Sequence, residues 1–182
     1  MKKILIVASV VLFAACDSKK TEKAEPAKTG GEQTGQTINS PYPVMYSSNF
    51  TMGDPKHAEV ILTLWKDWDN GNLSAHKEMF ADSLELHFAD GSMMHNLRDS
   101  VLAGGQQFRN TLASAVSEVH AVMATKSVDK DQSWALVWGK EIDKDKQGKV
   151  DSFYLQETWR FNKDGKADLM YQFRAAGAAP KN

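Results

Sequence analysis

The stretch FYLQETWRF, residues 153–161, decides how the chain reads. It alternates with period two: Phe153, Leu155, Trp159 and Phe161 fall in one file, and Tyr154, Gln156, Thr158 and Arg160 in the other. Such alternation predicts a strand with one buried face, because successive strand side chains point to opposite sides. Glu157 stands in the apolar file and breaks it. A carboxylate aimed into a core must be paired, hydrogen-bonded or protonated, or must line a cavity that uses it. Glu157 is therefore the first candidate functional residue.

Outward from this stretch the pattern is all strand, with predicted strands over residues 116–128, 133–142, 150–161 and 167–175. Gly165 sits where the bulge of a closing hairpin requires a glycine. The first half of the domain reads differently. Asp54 and Pro55 make a helix start, an N-cap followed by proline in the first turn. Ala58, Ile61, Leu62, Trp65 and Trp68 follow at helical spacing until Asn70-Gly71-Asn72 stops the run. Residues 73–80 read as a second, short helix and residues 83–89 as a strand, with Leu84, Leu86 and Phe88 on one side and Glu85 and His87 on the other. A third helix is predicted over residues 99–115, where Gly104-Gly105 marks a kink or the close approach of another element. The fold class is α+β: three N-terminal helices packed on an antiparallel sheet.

The N-terminus carries an address. Lys2 and Lys3 precede an unbroken apolar and small-residue run over residues 4–13, too short for the roughly 20 residues of a membrane span but suited to a signal peptide. Leu12-Phe-Ala-Ala-Cys16 closes it and resembles the lipobox of bacterial lipoproteins, which implies cleavage after residue 15 and lipidation of Cys16. An ordinary secretory signal with an incidental cysteine is the alternative. The implied location is the bacterial cell envelope, with the chain held to a membrane by lipid on Cys16. Cys16 is the only cysteine in 182 residues, so once lipidated it leaves no thiol for a disulfide, a nucleophile or a cysteine metal site. Without residues 1–15 the chain has 20 basic and 23 acidic residues, a net charge of −3 with no basic block, which argues against nucleic acid. Residues 16–40 have the composition of a flexible tether. Residues 41–53 are too apolar for a linker and are expected to dock as an arm on the domain, 54–176, which a tail of residues 177–182 follows.

With that organisation in place, EVILTLWKDWDNGNLSAHKEMFADSLELHFADG, residues 59–91, resembles the opening of nuclear transport factor 2-like (NTF2-like) domains, particularly the SnoaL-like branch. The Asn70-Gly71-Asn72-Leu73 break, the Phe80-Ala-Asp82 junction and the closing WRFNKDGK hairpin, residues 159–166, are the landmarks that carry the resemblance. It implies a cystatin-like cone in which a curved sheet wraps three helices and leaves a pocket between them. The same cone hosts isomerases, dehydratases, cyclases and non-catalytic modules, so function has to be argued residue by residue. In ketosteroid isomerases, which resemble the chain most nearly among well-understood catalytic relatives, an aspartate base, a tyrosine donor and a protonated carboxyl group do the chemistry. The matching positions are Phe88, Leu64 and Glu157. Two of the three are apolar, so that proton transfer is not implied, while Glu157 is again placed toward the cavity.

Two roles are open for Glu157. It can serve a pocket as hydrogen-bond partner, acid or base, or it can pair structurally, with Arg174 on the last strand as the candidate partner. The family alignment turns Met170, Gln172 and Arg174 inward, whereas simple periodicity buries Leu169, Tyr171 and Phe173. Trp68 and Trp159, among five tryptophans, are candidates to line a pocket for a small apolar or aromatic ligand, though plain core is the commoner use of such residues. The five histidines, His57, His76, His87, His95 and His120, have no metal-ligand spacing. A site pairing His120 with Glu157 across neighbouring strands is an open possibility. Asp143, Asp145 and Asp151 do not match a calcium loop, and nothing in the pattern calls for a cofactor. Apolar residues on both faces of residues 134–138 and 169–173 imply that the outer sheet face is covered, by the arm or by a second copy in a homodimer. The expectation is a ligand-binding or interaction module, with a lyase, isomerase or cyclase acting through Glu157 as the alternative.

Overall fold

The computed structural model describes residues 36–176. The signal segment, Cys16, most of the tether and the tail 177–182 lie outside the described residues. Helix α1, Pro55–Asn70, starts where Asp54 accepts a hydrogen bond from the Lys56 amide at 2.9 Å. It ends at Gly71, whose φ of +70° is the left-handed conformation that glycine adopts without strain. Its stripe of Ile61, Leu64 and Trp65 is buried.

No helix forms over residues 73–80. The chain turns there and passes through one 3-10 turn, Lys77–Met79, into strand β3, Phe80–His87. The segment is too short to repay the cost of nucleating an α-helix, and its polar groups find other partners. The Leu73 amide donates to Gln106 Oε1 at 3.0 Å, and His76 Nδ1 bonds the buried Asp67 carboxylate at 3.0 Å. Strand β4, Met93–Leu97, leads into α2, Arg98–Arg109, so the described residues contain two α-helices rather than the three expected. Helix α2 stops well short of residue 115 because the Arg109 side chain turns back to the end of α1, donating to the carbonyls of Trp68 and Asp69 at 2.7 and 2.9 Å. Gly105 marks a close approach: a Cβ there would sit 2.9 Å from a Leu73 methyl.

The remaining strands are β5 (Leu112–Ser127), β6 (Ser133–Asp145), β7 (Val150–Phe161) and β8 (Ala167–Ala176). Two short strands precede α1: β1, Gln36–Thr37, and β2, Asn49–Met52. Together they form one eight-stranded sheet in the order β1-β2-β5-β6-β7-β8-β3-β4. The sheet is mixed, not wholly antiparallel, because β3 runs parallel to β8, with Leu86 opposite Met170. The meander β5 to β8 brings the last strand back beside the first strand of the domain, and the connection through α2 sets its direction.

Helix α1 lies on β5 and β6, and α2 on β3. The face toward the helices carries Ala135, Val137, Phe153, Leu155, Trp159, Phe161 and Met170, all buried. Gly139 belongs to this face and lets the helix come close, since a Cβ there would lie 2.8 Å from the Trp65 ring. On the opposite face the arm is pinned at Tyr46. Its ring meets Trp134 edge-on at 5.0 Å, and its hydroxyl shares a 2.7 Å hydrogen bond with Tyr171. Within the stretch that composition assigns to the tether, Gln36 and Thr37 pair with Phe50 and Asn49. Among the described residues no helix is long and apolar enough to cross a membrane.

Candidate functional site

Between the two helices and the inner face of the sheet lies a cavity of about 960 Å³. Its walls are mainly apolar, from Leu64 and Trp68 on α1, Leu102 and Phe108 on α2, and Leu84 and Phe88 on or just after β3. The six residues that the sequence singles out as pocket-lining, Leu64, Trp68, Phe88, Glu157, Trp159 and Arg174, all face this one space.

Glu157 is buried, and its carboxylate is fully engaged. Oε2 accepts from Trp65 Nε1 at 2.7 Å and from Trp159 Nε1 at 2.9 Å, and Oε1 accepts from Gln172 Nε2 at 3.0 Å. Register explains the third donor, since Glu157 is cross-strand to Gln172. The expected Glu157–Arg174 pair does not form. Arg174 instead bonds Asp151 at 2.8 Å and lies 3.4 Å from the centroid of the Phe153 ring. Its planar group is satisfied at the cavity edge by a carboxylate and an aromatic face, which leaves Glu157 to neutral donors. Both readings of the last strand hold in part. Met170, Gln172 and Arg174 line the cavity, Leu169 is buried as well, Tyr171 packs under Tyr46, and Phe173 is exposed.

A second carboxyl group, which sequence patterning does not single out, does different work. Glu141 on β6 lines the cavity, is 6 % exposed, and accepts from Trp68 Nε1 through Oε1 at 2.6 Å. Among the described residues its Oε2 has no hydrogen-bond donor. Burial pushes the Glu141 pKa up to about 8. The hydrogen bond and charge of Asp143 add to this, the charge of Glu157 adds a little, and the Trp68 N–H opposes it. Burial also raises the pKa of Asp143, against the pull of Arg174 and Arg109. With both groups ionised, Asp143 Oδ1 is a buried acceptor without a donor. A proton on Glu141 supplies that donor, so the two carboxyls hold one proton between them near neutral pH.

The signal for Glu141 is visible in retrospect. Val137 is cross-strand to Glu157 and shares its face, so the file Ala135, Val137, Gly139, Glu141, Asp143 faces the helices. The heavier Trp134, Leu136 and Trp138 draw attention to the wrong file. His120 does not join the site; its exposed ring lies 6.0 Å from Tyr154 on the outer face. His87 bonds Glu85 at 2.7 Å and stacks on Tyr171, and no histidine lines the cavity. Among the described residues no group of three or more metal-ligating side chains comes together.

A curved sheet wrapped round two helices, with an open apolar cavity, defines the class as an α+β cone. No protein-family profile matches the chain, and no curated protein resembles it in sequence. Solved structures do. An LEH-like epoxide hydrolase from M. tuberculosis superposes with a TM-score of 0.57 at 10 % identity, over 69 % of this chain and 82 % of that one. A putative SnoaL-like polyketide cyclase from Jannaschia sp. CCS1 gives 0.53 at 13 % identity, over 70 % and 95 %. An NTF2-like protein of unknown function from Exiguobacterium sp. 255-15 gives 0.51 at 13 % identity, over 64 % and 98 %. The chain has the NTF2-like fold, and its structural neighbours include SnoaL-like proteins.

Two predictions follow from the carboxyl geometry. Glu157→Leu leaves three donors without an acceptor and is expected to destabilise the fold by about 3 kcal/mol or more in urea unfolding. Glu157→Gln keeps an acceptor for both indoles and should cost less than half as much; equal losses would show that the tryptophan bonds do not matter. The second concerns pH. The folded Glu141 pKa stands above the ordinary glutamate value of 4.5, so the native state binds the extra proton. Its contribution is fully present below pH 4.5 and is lost as pH rises toward about 8. Glu141→Gln should flatten that decline, and an unchanged slope in pH-dependent unfolding would reject the assignment.

Proposed function

We propose that the chain is a small-molecule-binding module held at an envelope membrane through lipid on Cys16. The observation that carries the binding reading is the cavity of about 960 Å³, which falls within the size range of small-molecule sites and combines apolar walls with a few polar groups. The apolar identities of Leu64 and Phe88, where the family resemblance would need catalytic groups, weigh toward binding over ketosteroid-isomerase chemistry. So does the saturation of Glu157, whose carboxylate is already committed to three donors.

A second reading has its own support. Glu141, raised to about 8 beside Asp143, is a carboxylic acid that keeps its proton at neutral pH, the property required of a general acid. An enzyme of the lyase, isomerase or cyclase kind would then act through Glu141 with Glu157 as a positioning residue. The epoxide hydrolase and the polyketide cyclase among the fold neighbours make this a reasonable alternative.

Native mass spectrometry of the chain purified from its own host separates these readings. A binder is expected to retain a small molecule that the cavity-filling Leu64→Trp variant loses. Molecules retained equally by both forms, or by neither, would sink the pocket reading. Conversion of the retained molecule by the native chain but not by Glu141→Gln would favour the enzyme. For the anchor, the chain should take up an alkyne fatty acid in the host and fail to do so as Cys16→Ala. Persistent labelling of that variant would reject Cys16 as the lipid site.

A further inference from the structure

We propose that this cavity selects ligands whose apolar body carries a positively charged nitrogen, such as a lipophilic amine, and rejects carboxylates of the same body. The inference rests on the small-molecule-binding reading and deepens it. Its first support is the charge of the walls. Five acidic side chains, Asp90, Glu141, Asp143, Asp151 and Glu157, line the cavity against a single basic one, Arg174. That guanidinium is already taken by Asp151 at 2.8 Å and by the ring of Phe153. Arg109, behind the wall, is spent on the carbonyls that close α1. Among the described residues lining the cavity, no free cation remains to receive an anionic head group.

The second support is the direction of the hydrogen bonds. The indole N–H groups of Trp65, Trp68 and Trp159 all point to carboxylates, at 2.7, 2.6 and 2.9 Å. The Ser117 hydroxyl on the same wall donates to Asp69 at 2.8 Å. What the cavity still offers is acceptor capacity at the Glu141–Asp143 pair, two carboxyls that share one proton and, among the described residues, receive a single side-chain donor, Trp68 Nε1. A ligand that brings donors or positive charge matches this pair. In walls this apolar, a mismatched polar end costs far more than it would in water.

Protonation makes the preference readable. Glu141 is flanked by Trp68 from α1, Ser117 from β5, Asp143 from β6 and Asp151 and Glu157 from β7, with Arg174 from β8 and Arg109 from α2 as the nearby cations. A bound cation favours the ionised form of Glu141, so cation affinity should rise as pH passes through about 8.

The test uses three matched naphthalene probes, 2-naphthylmethyltrimethylammonium, 2-naphthylmethanol and 2-naphthylacetate. They are titrated calorimetrically into the full chain in phosphatidylcholine nanodiscs, with empty discs as blank. The ammonium is expected to bind about tenfold more tightly than the alcohol, and the carboxylate not measurably. Ammonium affinity should increase between pH 7 and 9, although the probe itself does not titrate. Glu141→Gln and, independently, Asp143→Asn should each bring the ammonium down to the alcohol's affinity, and Glu141→Gln should remove the pH dependence. Ammonium and carboxylate binding equally well overturns the charge preference and leaves the cavity reading standing. Silence from all three probes overturns both. The probe series on the native chain decides the matter even where a variant does not fold.

Discussion

The constraint on which the rest of the structure depends is the buried carboxylate of Glu157 and its three donors. A charge this far from water is tolerated only when its oxygens are satisfied by well-placed partners. Those partners come from three elements, Trp65 on α1, Trp159 on β7 and Gln172 on β8. The bonds therefore fix where the helix stands over the sheet. Gly139 is part of the same arrangement. Without a side chain, it leaves the space into which the Trp65 ring descends, and the ring then reaches the carboxylate one strand away.

One helical turn further on, the same device appears in a different state. Trp65 and Trp68 are three residues apart on one face of α1, and each aims its indole N–H at a carboxyl group on the sheet. Glu157 receives three donors, whereas Glu141 receives one and has a second acid, Asp143, beside it. The pair shows how environment divides roles between like residues. A saturated carboxylate is structural and inert, and an undersaturated one with an acidic neighbour holds its proton and stays available to a ligand.

Much of this was legible in the sequence, for identifiable reasons. Period-two alternation in residues 153–161 placed Glu157 inward, because the strand is buried on that face along its length. The Asp54-Pro55 start and Gly71 stop of α1 were equally readable, since local side chains and backbone conformation decide both. The helix predicted over residues 73–80 was not readable in the same way. Its first amide, Leu73, and its histidine are satisfied by Gln106 and Asp67, partners that no local pattern reveals. The parallel pairing of β3 with β8 is likewise a property of topology. Glu141 escaped notice because its strand is apolar on both faces, and only register against Glu157 tells which file is inside. Arg174 lines the cavity but does not pair with Glu157 as expected, because Asp151 and Phe153 lie closer to its head group than Glu157 does.

A cavity of about 960 Å³ beneath a packed sheet is costly, since apolar walls that fail to touch lose both burial and dispersion contacts. A purely structural cone would gain stability by letting α1 settle toward β7 and β8. The two tryptophan–carboxylate bonds oppose that movement. An inward shift of α1 would disrupt Trp65–Glu157 and Trp68–Glu141 together, stranding buried polar groups. They act as struts as much as ties: they hold the helix at the distance that keeps the space open. Directional bonds between elements that would otherwise collapse together preserve a volume, and a volume kept open against the hydrophobic effect is what a binding site requires.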